Sequence, residues 1–416
     1  MTGNPHGWIV TRLKYIAQLN AGGTPDVGNS SYWASSGEGV PWVSIGDMSS
    51  QPVVQTTSRA LTAAGLCAAR LKPSPPGTIL FSMYASLGHT ARLGRIGAWN
   101  QAILGITPTH RVDPRFLEYC LSSLRKALPS LARSNTQQNL NAEQVGNLEL
   151  PLPPLDEQRR IADFLDSEVA RIDRLAKAQQ EMLLRLHERD LAVLDSKIDE
   201  VAGTFGTTPF RRFIASVEQG FSPQCDNMPA EDHEWGVLKV SSVKRGVFHP
   251  SENKRLPDEV APVSRYEVRE GDLLVTRANT PALVGAAAVV GSVRRKLLLC
   301  DKIFRIGTTS ALDKNYLAMV AQGTRIRDLC AAASHGTSQS MANLKIEEVK
   351  EWPVPAAPLA AQRLMLAEVF AHHRPTSNLR TVVERQLGLL SERRQALIAA
   401  AVSGAMDLTT AREADL

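Results

Sequence analysis

The chain states one pattern twice, about 200 residues apart: one copy runs from Trp8 to Val201 and the other from Phe210 to Ala405. Each copy opens with an aromatic and basic stretch and then a Gly/Pro turn. These are Trp8-Ile-Val-Thr-Arg-Leu with Gly23-Thr24-Pro25, and Phe210-Arg-Arg-Phe with Phe221-Ser222-Pro223. Each closes on a Pro-punctuated tract that leads into a long helical pattern, Leu150-Pro-Leu-Pro-Pro-Leu-Asp-Glu-Gln158 and Trp352-Pro-Val-Pro-Ala-Ala-Pro-Leu-Ala-Ala-Gln362. Two copies of a globular unit plus helix in one chain imply pseudo-two-fold symmetry. Such a protein suits a ligand with two-fold geometry of its own, of which duplex DNA is the commonest.

A chain of 416 residues exceeds one ordinary core and fits two domains with connecting elements. A hydrophobic content of 43% beside 21% charged residues is that of a soluble globular protein, and no run reaches the roughly 18 apolar residues of a membrane span. The N-terminal segment lacks a basic-then-apolar signal pattern, so a cytoplasmic location is expected. The five cysteines are odd in number and scattered, which argues against a disulfide framework or a paired-Cys metal site. The net charge of +5 permits a nucleic-acid partner without demanding one. More telling is that basic residues are in excess in both copies: Arg92, Arg95, Arg111, Arg115, Arg125, Lys126 and Arg133 in the first, and Lys239, Lys244, Arg245, Arg277, Arg294, Arg295 and Lys296 among those in the second.

Each globular unit reads as mixed α/β. In the first, Pro41–Gly46 is a strand ending in a turn, the runs 77–82 and 102–106 are further strands, and Pro114 to Leu128 has the apolar spacing of an amphipathic helix. The second repeats the order at 236–242, 271–276, 302–306 and 315–329. The segment from about Asp156 to Val201 has neither Pro nor Gly and places Ile161, Leu165, Ile172, Leu175, Met182 and Leu186 at helical spacing. That is one helix of about 65–70 Å. Its counterpart from Leu359 to Ala405 contains Pro375, so a kink or break is expected near His372–Ser377, with His372-His373 in a loop. Neither apolar stripe can be covered unless the two helices pack on each other. The expected fold is therefore α+β: two repeated mixed α/β domains at 1–153 and 204–356, joined by an antiparallel, coiled-coil-like pair of long helices at 154–203 and 357–416.

Catalytic patterns are missing. There is no phosphate-binding GxxxxGK[ST] loop, no GxGxxG after a strand, no HExxH and no Asn-Pro-Pro-Tyr-like tetrapeptide. Glu157-Gln158 falls at a helix start, where a carboxylate complements the helix dipole. Glu267, Glu270 and Asp272 read as an acidic turn entering a strand rather than as the carboxylate cluster of a nuclease. Neither a metal site nor a cofactor site is expected in this chain.

What remains are polar loops able to hydrogen-bond base edges and phosphates. The first copy offers Tyr84, Ser86, His89 and Arg92 after strand 77–82, and Asn135, Thr136, Gln137 and Gln138 in a later loop. The second offers Lys244, then Arg277, Asn279 and Thr280 after strand 271–276, Lys302, and Thr337, Ser338 and Gln339. Thr136 matches Thr337 and Gln138 matches Gln339. The tips at 83–92 and 277–285 differ while their frames agree, as two different half-sites would require. Each Thr-x-Gln is equally well read as a loop brace.

These residues carry a resemblance. The run Pro151-Leu-Pro-Pro-Leu-Asp-Glu-Gln-Arg-Arg-Ile-Ala-Asp-Phe-Leu165, the Gly-Thr-Pro turn, Pro41-Trp-Val-Ser-Ile-Gly-Asp47, Thr136-Gln-Gln-Asn-Leu140 and Arg394–Gly404 together resemble specificity subunits of type I restriction-modification systems, across nearly the whole chain. The resemblance implies a non-catalytic subunit. Its two target recognition domains would each read half of a bipartite double-stranded DNA sequence. Its two long helices would set the spacer and dock methyltransferase subunits, two of them, through residues such as Ile161, Leu165, Ile172, Leu175, Leu387, Leu390 and Leu397. Motor-nuclease restriction subunits would be further partners. S-adenosylmethionine, Mg and ATP would belong to the partner subunits, and no membrane is involved. The second boundary departs from the pattern, since Leu359-Ala-Ala-Gln362 lacks the acidic residue of Leu155-Asp-Glu-Gln158. The competing readings are a free-standing nuclease or methyltransferase, which would show intrinsic activity, and a protein-binding scaffold, whose DNA binding would lack strong salt dependence. If Gln138 or Arg277 contacts a base, its replacement by Ala weakens specific DNA binding by about 1–3 kcal/mol. Unchanged affinity and recognition sequence in a binding assay would remove that residue from the reading set.

Overall fold

The computed structural model describes residues 7–35, 38–84, 86–131, 139–333, 335–338 and 341–406. The chain forms two compact units. The first holds the residues up to Gln179 with those from Arg385 onward, and the second holds Gln180–Glu384. Each unit therefore contains part of both long helices, the central helix Leu155–Phe205 and the C-terminal helix Leu359–Val402.

The core of the first unit is a five-stranded sheet in the order Ala17–Ala21, Ile103–Pro108, Ile79–Ser82, Thr90–Leu93, Val53–Val54. All four residues of its middle strand are buried, because both faces are covered. The two-residue period divides them: Ile79 and Phe81 pack with helix Pro114–Ser123 and with Ile161 and Leu165 of the central helix, whereas Leu80 packs with Val43, Met48, Leu93 and Trp99. A smaller sheet, Trp33–Ala34, Arg59–Leu61, Val40–Val43 and Ala98–Trp99, completes the unit with the pair Ile9–Arg12 and Glu149–Leu152.

The second unit repeats this plan for four of the five main-sheet strands and three of the four small-sheet strands. Its main sheet runs Ile214–Gln219, Ile303–Thr308, Leu273–Thr276, Ala287–Val289. Leu273 and Val275 face Tyr316, Leu317, Met365 and Val369, while Leu274 faces Val237, Leu238 and Leu297. The pair Thr207–Pro209 and Pro353–Pro355 matches the first unit's outer pair. In the small sheets, Val40–Val43 runs antiparallel to Arg59–Leu61 and parallel to Ala98–Trp99, and Gly236–Leu238 does the same with Asn253–Arg255 and Leu297–Leu298. Even the first turns share a constraint: a Cβ on Gly22 would lie 1.9 Å from the Asn100 carbonyl oxygen, and one on Gly220 1.8 Å from that of Leu299. Only glycine lets the chain pass there.

The long helices meet antiparallel within each unit. In the first, Asp173 pairs with Arg394 (3.2 Å) and Gln179 with Gln386 (3.0 Å), so residue numbers rise on one helix as they fall on the other. In the second, Asp190 meets Arg380 and Lys197 meets Glu368 (2.8 Å).

Several expectations need correction. The C-terminal helix runs unbroken through Pro375, and His372 and His373 are helical, not in a loop. A proline removes one backbone donor, but the neighbouring turn is held from outside. Thr376, 4% exposed, lies 3.1 Å from Asp190 Oδ2, Arg380 contacts the same carboxylate, and His373 Nε2 lies 3.2 Å from the Asp190 carbonyl oxygen. The helix read from Pro114 to Leu128 stops at Ser123 and continues as the 3-10 turn Leu124–Lys126 and the short helix Leu128–Leu131. Its counterpart over 315–329 is two helices, Lys314–Val320 and Thr324–Ala333. Asp195 caps the second, accepting from the Thr324 N–H at 2.8 Å. Pro41–Gly46 is a strand to Val43 followed by helix Ile45–Ser50, because Ser44 and Asp47 form a capping box.

Gln158 is a buried clamp, and the capping role read for the Glu157-Gln158 pair misses it. Gln158 is 1% exposed; its Oε1 accepts from the Asp113 N–H at 2.8 Å and its Nε2 donates to the carbonyls of Pro153 (2.8 Å) and Arg111 (3.3 Å). Gln362 is fully buried and does the same with Asp313 N–H (2.8 Å), Ala357 O (2.8 Å) and Ala311 O (2.9 Å). Replacing either Gln by Leu strands one backbone donor and two acceptors, and about 2–4 kcal/mol of stability should be lost at either site. Urea unfolding of the full chain checks this; a midpoint unchanged in both variants would show that the clamp carries no stability.

Candidate nucleic-acid interface

In the first unit the candidate loop is the hairpin between Ile79–Ser82 and Thr90–Leu93. Its base is locked by backbone bonds: the Ser82 N–H donates to His89 O and the Gly88 N–H to Ser82 O, both at 2.9 Å. Gly88 has φ +75°, and a Cβ there would lie 2.4 Å from Leu128 Cδ1, which seats the loop on helix Leu128–Leu131. Tyr84 is exposed at the tip, and Ser86, at φ 61°, is exposed as well. The other two candidates brace the structure. His89 Nε2 lies 3.2 Å from the Met48 carbonyl oxygen, and Arg92 Nε pairs with Glu118 Oε2 at 2.9 Å. The Leu140 N–H donates to Met83 O at 3.0 Å, which brings the end of the second polar loop against the start of the first. Asn135, Thr136, Gln137 and Gln138, and Gln339 in the second copy, lie outside the described residues.

In the second unit, 277–285 does more than link two strands. Ala278–Asn279 forms a strand against Met341–Asn343, which pairs in turn with His335–Ser338. The small sheet thus gathers Asn279 with the backbone of Thr337 and Ser338, some 60 residues later, and Arg277 enters it with its N–H bonded to Lys302 O at 2.8 Å. Asn279 Oδ1 accepts from the Thr280 N–H at 2.8 Å, a local turn that leaves Thr280 exposed. The loop closes on buried Thr276, whose hydroxyl donates to Leu283 O (3.0 Å) and accepts from Ala286 N–H (2.9 Å). Lys244 is exposed on the hairpin Val243–Lys244 and Val247–Phe248, which Arg245 stitches to the Ala282 carbonyl of the same loop. Arg277 and Lys302 are half-buried.

The acidic turn is a brace. Glu267 accepts from the Lys296 N–H (2.9 Å) and Arg295 Nε (3.0 Å), and these contacts hold its carboxyl below the ordinary range. Arg305 bridges Asp272 (3.2 Å) and Glu218. Among the described residues no three His, Cys, Asp or Glu side chains are grouped so as to hold a metal ion.

The residues expected to dock partners divide. Ile161 and Leu165, 2% and 0% exposed, lie in the first unit's own core, and Ile172 is buried at 3%, so none of the three offers a docking surface. Exposing each to a partner would forfeit about 1.5–3 kcal/mol of burial. Leu387, Leu390 and Leu397 are half-buried, and Leu175 is exposed. Sequence spacing missed Arg59, whose guanidinium lies 4.9 Å from the Trp33 ring; the two meet only because Trp33 pairs with Leu61 across strands.

Comparison with known proteins agrees with this geometry. Residues 5–184 match the family described as Type I restriction modification DNA specificity domain. The chain is 32% identical over 158 residues to the Type I restriction enzyme EcoEI specificity subunit of Escherichia coli, covering 38% of this chain and 27% of that protein. It is 23% identical over 297 residues to the EcoKI specificity subunit of Escherichia coli strain K12, covering 68% and 63%. The chain thus spans less than two thirds of the length of either relative. A solved chain described under complex assembly and conformational transition of the type I R-M system shares the fold over 96% of this chain and 98% of its own, with a TM-score of 0.59 at 16% identity. The match to that domain family thus falls on the first copy, and the second copy repeats the main-sheet order Ile214–Gln219, Ile303–Thr308, Leu273–Thr276, Ala287–Val289. Tyr84→Ala, at an exposed tip, should leave the unfolding midpoint within about 0.5 kcal/mol of wild type while weakening duplex binding by about 1–3 kcal/mol. Parallel unfolding and anisotropy titrations separate the two; intact binding would retire the tip.

Proposed function

We propose that this chain is the DNA sequence-specificity subunit of a type I restriction-modification complex. Each unit reads one half of a bipartite double-stranded target, and the chain performs no chemistry itself. Methyltransferase subunits, two of them, would bring S-adenosylmethionine and flip the target adenine, while restriction subunits would supply the ATP- and Mg-dependent motor and nuclease. The observation that carries this reading is the shared order of four main-sheet strands in two units whose corresponding loops end in different residues, Tyr84 and Ser86 in one and Asn279 and Thr280 in the other. A common scaffold with divergent tips is what reading two unlike half-sites requires. The exposed apolar residues of the helices, Leu175, Met182, Leu184 and Leu389, support partner docking away from the buried stripe. Among the described residues no helix is long and apolar enough to cross a membrane.

Mapping methylated adenines across the host genome with and without the gene tests the proposal. Loss of methylation at one split motif is the expected result, and it delivers both half-sites with their spacer. An unchanged map in a host that expresses the chain and its methyltransferase would overturn it.

A further inference from the structure

Both units have a cavity where the helix after the main sheet, the neighbouring loops and the long helices converge, and the two are charged differently. The first unit's cavity, about 460 Å³, is lined by Arg92, Arg115, Arg125 and Arg394 but also by Glu118 and Asp166. Arg92 pairs with Glu118 (2.9 Å), Arg115 with Asp166 (2.8 Å) and Arg394 with Asp173 (3.2 Å), so most of that charge is neutralised within the chain.

The second unit's cavity, about 550 Å³, is lined by Arg245, Arg374, Arg380 and His373, and no carboxylate lines it. The helix position of Asp166 is taken by Phe370, and that of Arg115 by Asn315. Asp190, the nearby acid, is 5% exposed and its Oδ2 is already engaged by Arg380 and Thr376. Among the described residues the Arg245 guanidinium donates to a neutral acceptor, the Ala282 carbonyl, and to no carboxylate. Behind it, Arg327 has a buried Nε with no hydrogen-bond partner among the described residues. Burial and the nearby Arg327 lower the Arg245 pKa, and burial with Arg380, Arg327 and Arg245 lowers that of exposed His187. Like charges gathered at a partly desolvated site repel unless an anion joins them.

We infer that the second unit's cavity is a phosphate-binding pocket, built from Arg245, Arg374 and Arg380 with His373 beside them, which the first unit lacks because its own carboxylates fill that role. Guanidinium forks match the oxygens of a phosphate, and its charge balances more than one arginine, as a single carboxylate's does not. His373 Nε2 lies 3.2 Å from the Asp190 carbonyl oxygen, which holds the ring beside the arginines. The phosphate belongs to a nucleic-acid backbone or to a free phosphate ester; the chemistry at the pocket is the same.

Calorimetric titration of the full-length chain with inorganic phosphate, against sodium chloride at equal ionic strength, tests the pocket. The probe carries no base sequence, so failure here and failure of the specificity reading are separate results. Saturable binding to wild type is expected, weakened at least tenfold by Arg374→Gln and by Arg245→Gln, two variants on different elements, and unaffected by Arg125→Gln in the first unit. No saturable binding beyond chloride, or equal binding in both second-unit variants once their circular dichroism shows them folded, overturns the inference. The salt dependence of duplex binding then identifies the source. A log–log slope shallower by about 0.9 in Arg374→Gln assigns the pocket to the DNA backbone. An unchanged slope, with phosphate binding lost, assigns it to a free phosphate ester.

Discussion

One buried glutamine in each globular unit holds it to the long helix that follows. Gln158 and Gln362 sit in the first turn of their helices, and each joins three backbone groups that would otherwise be stranded in the core. The N–H that each captures belongs to an aspartate, Asp113 or Asp313, whose side chain caps the helix packed against the main sheet. The cap, the strand exit and the long-helix start are therefore one hydrogen-bonded joint. Because a primary amide offers both a donor and an acceptor, no apolar or carboxylate side chain can replace it there. This explains why the second boundary keeps its glutamine while losing the acidic residue before it: Glu157 is only partly buried, outside the joint.

The same joint explains which surfaces remain available. Once the helix start is held against the sheet, Ile161 and Leu165 must complete the globular core, and the helix residues left exposed are others, such as Leu175 and Leu389. In the second unit, the antiparallel helix contact depends on Asp190, which binds the turn around Pro375 from outside. A proline that would weaken an isolated helix is tolerated because Thr376, Arg380 and His373 are tied to the neighbouring helix.

The repeat preserves framework and varies chemistry. Main-sheet strands, outer strand pairs and glutamine joints recur in both units. What changes are loop tips and the charges facing the cavities. In the first unit the arginines are paired with acids of the same chain. In the second, neutral residues such as Phe370 stand where those acids would be, no carboxylate lines the cavity, and of its arginines Arg380 pairs with Asp190.

Much of this was legible in the residues themselves. Strands such as Ile79–Ser82 are short, apolar but for the last residue and preceded by breakers, and the central helix has an uninterrupted stripe, so local chemistry alone dictated their type and order. The repetition was legible for the same reason, and so was the absence of a catalytic pattern. Local chemistry could not decide the fate of Pro375, because its tolerance comes from Asp190, 185 residues away. Nor could it separate reading residues from braces: Arg92 and His89 look as available as Tyr84 until Glu118 and the Met48 carbonyl are brought beside them. The sequence by itself determined two copies of a sheet-and-helix unit and their polar loops, since period and turn chemistry are local. Tertiary structure alone decided which polar groups are already satisfied and which face outward, because that depends on partners the fold collects from distant parts of the chain.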